Sequence, residues 1–256
     1  MTPDWTLAAL CCLAFAAGFV DAVVGGGGLI QVPALFVLKP ELPPATLFGT
    51  NKLSSIVGTA NATWQYARRV KLPWRILLLT AGTAFVFSFL GARAVSYLDP
   101  KALRPLIIAL LCAVFFYTLI KKDFGSLHAP KLTVRQQQLC GITMGVIIGF
   151  YDGFFGPGTG SILVFVFVGL FGFSFLMASA AAKIVNLATN AAAVAWFLPS
   201  GHVLYRAALP MALCNLAGSW LGAHLAIQRG SGFVRLFFIA VVALLLARMV
   251  WDTVHA

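Results

Sequence analysis

The sequence carries little charge and very little acid. Only 10% of its 256 residues are charged and Asp and Glu together number seven, whereas 61% are hydrophobic. The mean hydropathy is +0.94. Soluble domains average about 25% charged and about 45–50% apolar residues. The composition therefore excludes an ordinary soluble domain and predicts an all-α polytopic membrane protein, since helices satisfy every backbone polar group inside a bilayer.

Acidic residues are so few that the 18 Lys and Arg residues leave a net charge of +11. Most of them stand between apolar stretches, where a bias towards the cytoplasmic side would place them, and not in a patch suited to nucleic acid. We therefore expect the lipid bilayer as a partner and no nucleic acid. The loop charges predict that residues 68–75 and 121–135 face the cytoplasm.

Cysteine is scarce and scattered. The five cysteines form no CxxC pair and no Cys/His cluster, and they are Cys11, Cys12, Cys112, Cys140 and Cys214. Small packing residues are distributed in this way, so we predict no disulfide, no metal and no cofactor. The glycines at 156–160 are not a nucleotide loop, because no GK[ST] follows them.

Long apolar stretches are abundant. A spanning helix needs about 20 apolar residues, and by this measure the chain has eight hydrophobic segments. They are about 5–38, 45–67, 74–98, 102–120, 136–173, 175–199, 204–228 and 232–251. The first and fifth are too long for one straight helix, so we predict a glycine break in each. The helix before the break should end near Val24 or Phe155, and the short helix after it near Pro33–Lys39 or Phe171–Phe173.

A shift of 131 residues aligns the chain with itself. Gly18, Asp21, Gly25, Gly27 and Lys52 fall on Gly149, Asp152, Gly156, Gly158 and Lys183. One offset that matches acid, base and several glycines predicts two copies of a four-segment unit, 1–124 and 136–256, joined by a cytoplasmic linker at 125–135. The copies are parallel if segments one and five span the membrane and inverted if these segments dip and return. The loop charges do not separate the two arrangements.

The glycine breaks predict an anion site. Each lets the backbone expose unpaired N–H groups at the start of a short helix, where the helix dipole favours negative charge. The candidate ligands in and after the two breaks are Gly25, Gly27, Gly28, Gln31, Gly156, Gly158, Thr159, Gly160 and Ser161. The structural alternative is that the glycines only allow close helix packing.

Two lysines lie in the middle of apolar stretches, where an ammonium needs a partner or a wet cavity. They are Lys52 and Lys183. The polar residues that adjoin them or share their helical faces are Asn51, Ser55, Asn186 and Asn190. These side chains would add positive charge and hydrogen-bond donors to the predicted anion site.

Asp21 and Asp152 are the obvious partners of the two lysines. Burial in a membrane favours a protonated acid, whereas a neighbouring ammonium favours the carboxylate. Either acid could therefore exchange a proton as an anion enters and leaves, which would make it an ion-coupling residue. Equally, the two Asp–Lys pairs could be structural ion pairs that hold the copies together.

The two GxxDxxxGxG motifs, the Asn51–Lys52 pair and the K-x-x-N-x-x-x-N helix make the chain resemble the TauE/SafE sulfite exporter family over essentially its whole length. The resemblance implies a multi-pass carrier of the bacterial cytoplasmic (inner) membrane, secondary and ion-coupled. Its substrate would be a small sulfur-containing or organic anion, such as sulfite, thiosulfate, sulfoacetate or a related sulfonate. The positions that match the family are Gly18, Asp21, Gly25, Gly27, Asn51, Lys52, Gly149, Asp152, Gly156, Gly158, Lys183, Asn186 and Asn190.

Other functions would use these residues differently. A passive anion channel would use the same site but conduct ions without a proton gradient. An intramembrane hydrolase would need Ser161 as nucleophile and His224 as base, and no orienting acid accompanies them. If the protein were a scaffold subunit, Lys183→Ala would lower its abundance without a specific defect in transport. We expect a transporter and not an enzyme.

Overall fold

The computed structural model describes residues 4–97 and 132–254. The predicted fourth segment at 102–120, Cys112 and most of the predicted linker at 125–135 lie outside the described residues. The described residues form eight helices and no strand, which confirms the all-α prediction. The helices are α1 Asp4–Val24, α2 Gly28–Leu38, α3 Pro44–Arg69, α4 Trp74–Ser96, α5 Val134–Phe154, α6 Thr159–Gly169, α7 Phe175–Phe197 and α8 Tyr205–Val254, the last with non-helical backbone at Gly230.

Local sequence signals mark several helix starts. Pro44 begins α3, a position that tolerates proline because the first N–H of a helix has no partner within it. Thr133 and Gln136 form a capping box at α5, in which the Thr133 backbone N–H donates to Gln136 Oε1 at 2.9 Å. The Ser174 side chain accepts from the Met177 N–H at the start of α7. Polar connections between apolar stretches therefore place the helix boundaries.

The described helices fall into two length classes. Two of them, over Trp5–Val24 and Trp74–Ser96, are long and apolar enough to cross a membrane by length and composition. In contrast, α2 and α6 have 11 residues each. A helix of that length measures about 17 Å and cannot cross a hydrocarbon core of about 30 Å. The short helices must therefore end inside the protein or return to the side from which they came.

The chain doubles back after α1. Gly27 lies against the Ala17 carbonyl and the Asp21 side chain, although α1 continues to Val24. Leu35 of α2 then shares an apolar cluster with Leu10 of α1. The chain therefore reverses between α1 and α2, and the two helices pack on each other.

Small residues bring the long helices into backbone contact. The helix α1 packs along α8, and α4 packs along α5. Gly218 and Gly222 lie on α1 carbonyl groups, while Gly149 and Gly153 lie on the α4 backbone. Such close approach is typical of membrane helices, whose association depends on van der Waals packing. A side chain at these glycines would push the helices apart.

Helix boundaries recur at the sequence offset of 131 residues. The short helices α2 and α6 begin at Gly28 and Thr159 and have the same length of 11 residues. The pair α3 and α7 begins at Pro44 and Phe175, and α4 and α8 begin at Trp74 and Tyr205. Three pairs of helix starts are therefore separated by the offset that aligns the sequence with itself.

Candidate functional site

Two Lys–Asp ion pairs lie inside the helical bundle, the first buried and the second with a half-buried aspartate. Lys52 Nζ is 2.6 Å from Asp152 Oδ2, and Lys183 Nζ is 2.7 Å from Asp21 Oδ2. Each pair joins a lysine in a helix of one half of the chain to an aspartate in the last turn of a helix, α5 or α1, in the other half. Removing one member of a buried pair leaves an uncompensated charge, which costs about 3–5 kcal/mol. The two pairs therefore tie the halves together.

The first pair belongs to a wider hydrogen-bond network. Lys52 Nζ also donates to Asn190 Oδ1 at 3.1 Å, and Asn190 Nδ2 donates to Thr59 Oγ1 at 3.3 Å. In the second pair, the Gly26 N–H donates to Asp21 Oδ1 at 3.3 Å. The carboxylates are thus held by ammonium and amide groups within an otherwise apolar protein.

The two glycine breaks meet each other. Gly25 and Gly160 are in backbone contact, and the Ser161 hydroxyl donates to the Gly25 carbonyl. Gly158, the residue before α6, has a φ of 83°, a conformation that glycine adopts without steric cost. The N-terminal ends of the two short helices are consequently brought to one place.

A small polar cavity of about 30 Å³ lies between these elements. A water molecule needs roughly 10–15 Å³ of such space, so the cavity holds about two waters or one small ion. Its lining residues are Asp21, Gly26, Gly27, Gly28, Asn51, Lys52, Ser55, Thr59, Asp152, Gly156, Gly158, Thr159, Gly160, Asn186, Asn190 and Asn215. A molecule larger than the cavity would require the lining residues to move.

Most of the predicted ligands and ion-pair residues of the site line this cavity, and four do not. Lys183 is fully buried and pairs with Asp21. Gln31 is also fully buried, and its Oε1 accepts from another side chain at 3.2 Å. Gly25 packs on the Gly160 backbone, and Ser161 is bonded to carbonyl oxygens. These four residues therefore support the cavity wall from behind.

Three lining residues were absent from the predicted site, namely Gly26, Thr59 and Asn215. Asn215 on α8 is buried, and its Nδ2 donates to the Ala14 carbonyl and to Gln31 Oε1, both at 3.2 Å. The sequence offset aligns Asn215 with an alanine, so the repeat gave no signal for it. The sequence feature that could have indicated Asn215 is its position as a lone asparagine within an apolar segment.

Among the described residues, three buried side-chain atoms have no hydrogen-bond partner. They are Gln31 Nε2, Asn51 Oδ1 and Ser54 Oγ. An unsatisfied buried polar atom is unfavourable by about 1–3 kcal/mol and calls for an explanation, such as a bound water or ligand. Of these three residues, Asn51 also lines the cavity.

An apolar helical bundle that encloses charged side chains and broken helices is typical of a membrane transport protein. A "Probable membrane transporter protein" of Haemophilus influenzae is 34% identical over 250 residues, which cover 96% of this chain and 95% of that protein. ORF9, a "Probable membrane transporter protein" of Sinorhizobium sp, is 34% identical over 97% of this chain and 94% of its own. YfcA of Escherichia coli, also named a probable membrane transporter protein, is 32% identical over 99% and 93%.

The family described as Sulfite exporter TauE/SafE matches residues 10–249. The chain therefore belongs to the TauE/SafE sulfite exporter family, and it is a membrane transporter. This confirms the family predicted from the two glycine motifs. No solved structure matches the chain.

Proposed function

We propose that the protein is a secondary transporter that carries a small sulfur-containing or organic anion across the bacterial cytoplasmic membrane, coupled to protons. Sulfite, thiosulfate, sulfoacetate and related sulfonates are the candidate substrates. The observation that carries the proposal is the position of Lys52, whose side chain lines a small polar cavity where both glycine breaks meet. The family name supports this class of substrate, and the names of the relatives support the transport activity alone.

The anion would bind to donors from both halves of the chain. The Lys52 ammonium supplies the formal positive charge. The N–H groups at the starts of α2 and α6 supply partial positive charge, as helix N-termini do. The side-chain amides of Asn51, Asn186 and Asn190 would complete the coordination. A three- or four-oxygen anion suits such a set of donors that converge from several directions.

We assign proton coupling to Asp152. The Lys52 ammonium already donates to this carboxylate, so an arriving anion must compete with it or add negative charge beside it. A buried carboxylate without its partner is unfavourable by several kcal/mol. A proton taken up by Asp152 together with the anion would keep the site neutral. Asp21 is less suited to this role because its partner Lys183 is fully buried behind the cavity wall.

The transport cycle we propose is a rocking of two inverted repeats around the central site. The recurring helix starts and the crosswise Lys–Asp pairs support an internal duplication. The reversal of the chain between α1 and α2 supports the hairpin arrangement, which makes the copies inverted. Breaking and remaking of the ion pairs would then link occupancy of the cavity to the relative position of the halves.

The hydrolase alternative finds no support in the geometry. The Ser161 hydroxyl donates to the Gly25 and Val24 carbonyls, whereas His224 stacks on Trp220 at 5.4 Å and lines a different cavity. A nucleophile and its base would need to be within hydrogen-bond distance of each other. A passive channel would use the same central residues. Conductance that does not depend on a proton gradient would distinguish it from a carrier.

The proposal is tested with purified protein in two steps. Calorimetry is run with sulfite, thiosulfate, sulfate, sulfoacetate, taurine and short carboxylates. At least one of these anions should show saturable binding to the unmodified protein and no binding to Lys52→Ala. Lys71→Ala, an exposed lysine outside the cavity, is the matched control and should bind normally. In proteoliposomes the same anion should accumulate only under a proton gradient. If both variants bound the anion equally well, Lys52 would not belong to the anion site. Conductance that does not depend on the proton gradient would indicate a channel and not a carrier.

A further inference from the structure

A second, larger cavity opens between α3 and α8. Its volume is about 280 Å³, and its lining residues are Trp64, Gln65, Arg68, Arg69, Trp220, His224, Ile227 and Gln228. None of these residues lines the central polar cavity. The second cavity is therefore separate from the proposed anion site, and the proposed transport function does not explain it.

Its wall is cationic and aromatic. Arg68 and Arg69 are both exposed, and the Arg68 guanidinium lies 4.8 Å above the Trp64 ring, a cation–π contact that helps to hold it in place. Among the described residues that line the cavity there is no carboxylate. Guanidinium groups present planar paired donors that match phosphate oxygens. The electrostatics of the cavity thus favour a phosphate group.

The cavity lies at one end of a helix that reaches the membrane surface. The helix α3 has 26 residues, and Arg68 and Arg69 are its last two. Its length is about 39 Å, which exceeds a hydrocarbon core of about 30 Å, so its final turn reaches the level of the lipid headgroups. Tryptophan is enriched at that boundary, and Trp64 stands about one turn before the arginines. The positive-inside rule places this end on the cytoplasmic side.

An apolar track leads from the cavity towards the interior of the membrane. On α8, Trp220, Leu213 and Leu209 are 53%, 69% and 57% exposed, and their spacing of seven and four residues puts them on one helical face. On α3, Trp64 and Val57 repeat the pattern with a spacing of seven. Free phosphate would use only the cationic rim, whereas an acyl chain would also cover the track.

We propose that this cavity is a binding site for an anionic phospholipid, with the headgroup phosphate on Arg68 and Arg69 and an acyl chain along the α8 track. The His224 ring, stacked on Trp220, and the Gln228 amide stand at the rim, where they can donate to headgroup oxygens. The α3–α8 contact also carries Thr59 and Asn215 of the central cavity. A bound lipid would therefore brace the two helices that hold one wall of the transport site.

Native mass spectrometry of the detergent-purified protein tests the proposal. Phosphatidylglycerol should be retained as a discrete adduct at concentrations where phosphatidylcholine is not. The double variant Arg68→Gln/Arg69→Gln should bind phosphatidylglycerol about a hundredfold more weakly, which corresponds to about tenfold for each charge-assisted hydrogen-bonded arginine. Lys71→Gln/Arg75→Gln removes two charges at the same predicted membrane face outside the cavity, and its affinity should change by less than about threefold.

Three results would overturn the proposal. The first is equal retention of phosphatidylcholine and phosphatidylglycerol by the unmodified protein. The second is the same loss in both double variants, which would indicate a general charge effect. The third is displacement of the lipid by inorganic phosphate at similar concentration, which would make the site a receptor for a soluble anion. Because both arginines are exposed, each variant should keep the thermal unfolding temperature that the protein has without added lipid.

Discussion

The Lys52 ammonium donates to the Asp152 carboxylate at 2.6 Å, although the two residues are 100 positions apart in the sequence. Lys183 and Asp21 repeat the relationship across 162 positions. The 131-residue offset carries one pair onto the other, so each half of the chain supplies an ammonium to the acid of the other half. A movement of one half relative to the other would therefore strain or break both contacts.

The first prediction separates binding from stability at this pair. Lys52→Met should abolish anion binding and destabilise the protein by about 3–5 kcal/mol, because it leaves the Asp152 charge buried without a partner. The double variant Lys52→Met/Asp152→Asn should recover most of the stability and none of the binding. Thermal unfolding and calorimetry measure the two quantities. If the double variant bound the anion normally, the ammonium would not be a ligand.

The second prediction concerns the assignment of coupling to Asp152. Asp152→Asn removes the group that competes for Lys52, so anion affinity should rise or stay constant while transport loses its dependence on the proton gradient. Asp21→Asn is the matched control, and it should keep gradient dependence because its partner lies behind the cavity wall. Uptake into proteoliposomes at several external pH values measures both. If Asp21→Asn lost the gradient dependence and Asp152→Asn kept it, Asp21 would be the coupling residue.

The third prediction tests the contact between the glycine breaks. Gly25→Ala should destabilise the protein by several kcal/mol, since its φ of 68° is strained for alanine and the new Cβ would overlap the Gly160 backbone. Gly82→Ala, in the middle of α4 with open space around it, should instead stabilise by about 0.5–1 kcal/mol. Unfolding midpoints measured side by side provide the comparison. Equal effects at the two glycines would show that the breaks do not depend on each other.

The fourth prediction concerns Asn215, which the repeat did not reveal. Asn215→Ala removes the donor to Gln31 Oε1 and to the Ala14 carbonyl, which should cost about 1–3 kcal/mol of stability. It should also weaken anion binding several-fold, because the side chain lines the cavity. Asn61→Ala, whose Nδ2 lies 3.5 Å from Ser219 Oγ outside the cavity, should leave anion affinity unchanged. An unchanged affinity in both variants would remove Asn215 from the site.

Composition by itself predicted the class of fold. With 61% hydrophobic residues and seven acids, arranged in long apolar stretches, the chain was expected to satisfy its backbone polar groups in a membrane as helices, and the described residues form helices and no strand. The GxxDxxxGxG motif, repeated 131 residues later, predicted the family together with the Asn51–Lys52 pair and the K-x-x-N-x-x-x-N helix, and the comparison confirms that family. These features are local or periodic, so they can be read from the order of residues alone.

The tertiary structure decided which of these residues face the same space. Helical periodicity places Lys183, Asn186 and Asn190 on one face, but the packing of the whole bundle puts the two amides at the cavity and the ammonium behind Asp21. The same packing brings Asn215 into the site and turns Gln31 towards the wall. Likewise, Arg68 and Trp220 share a cavity only because α3 and α8 lie side by side. Which helices meet depends on how the apolar faces pack together, and no spacing within a single segment contains that information.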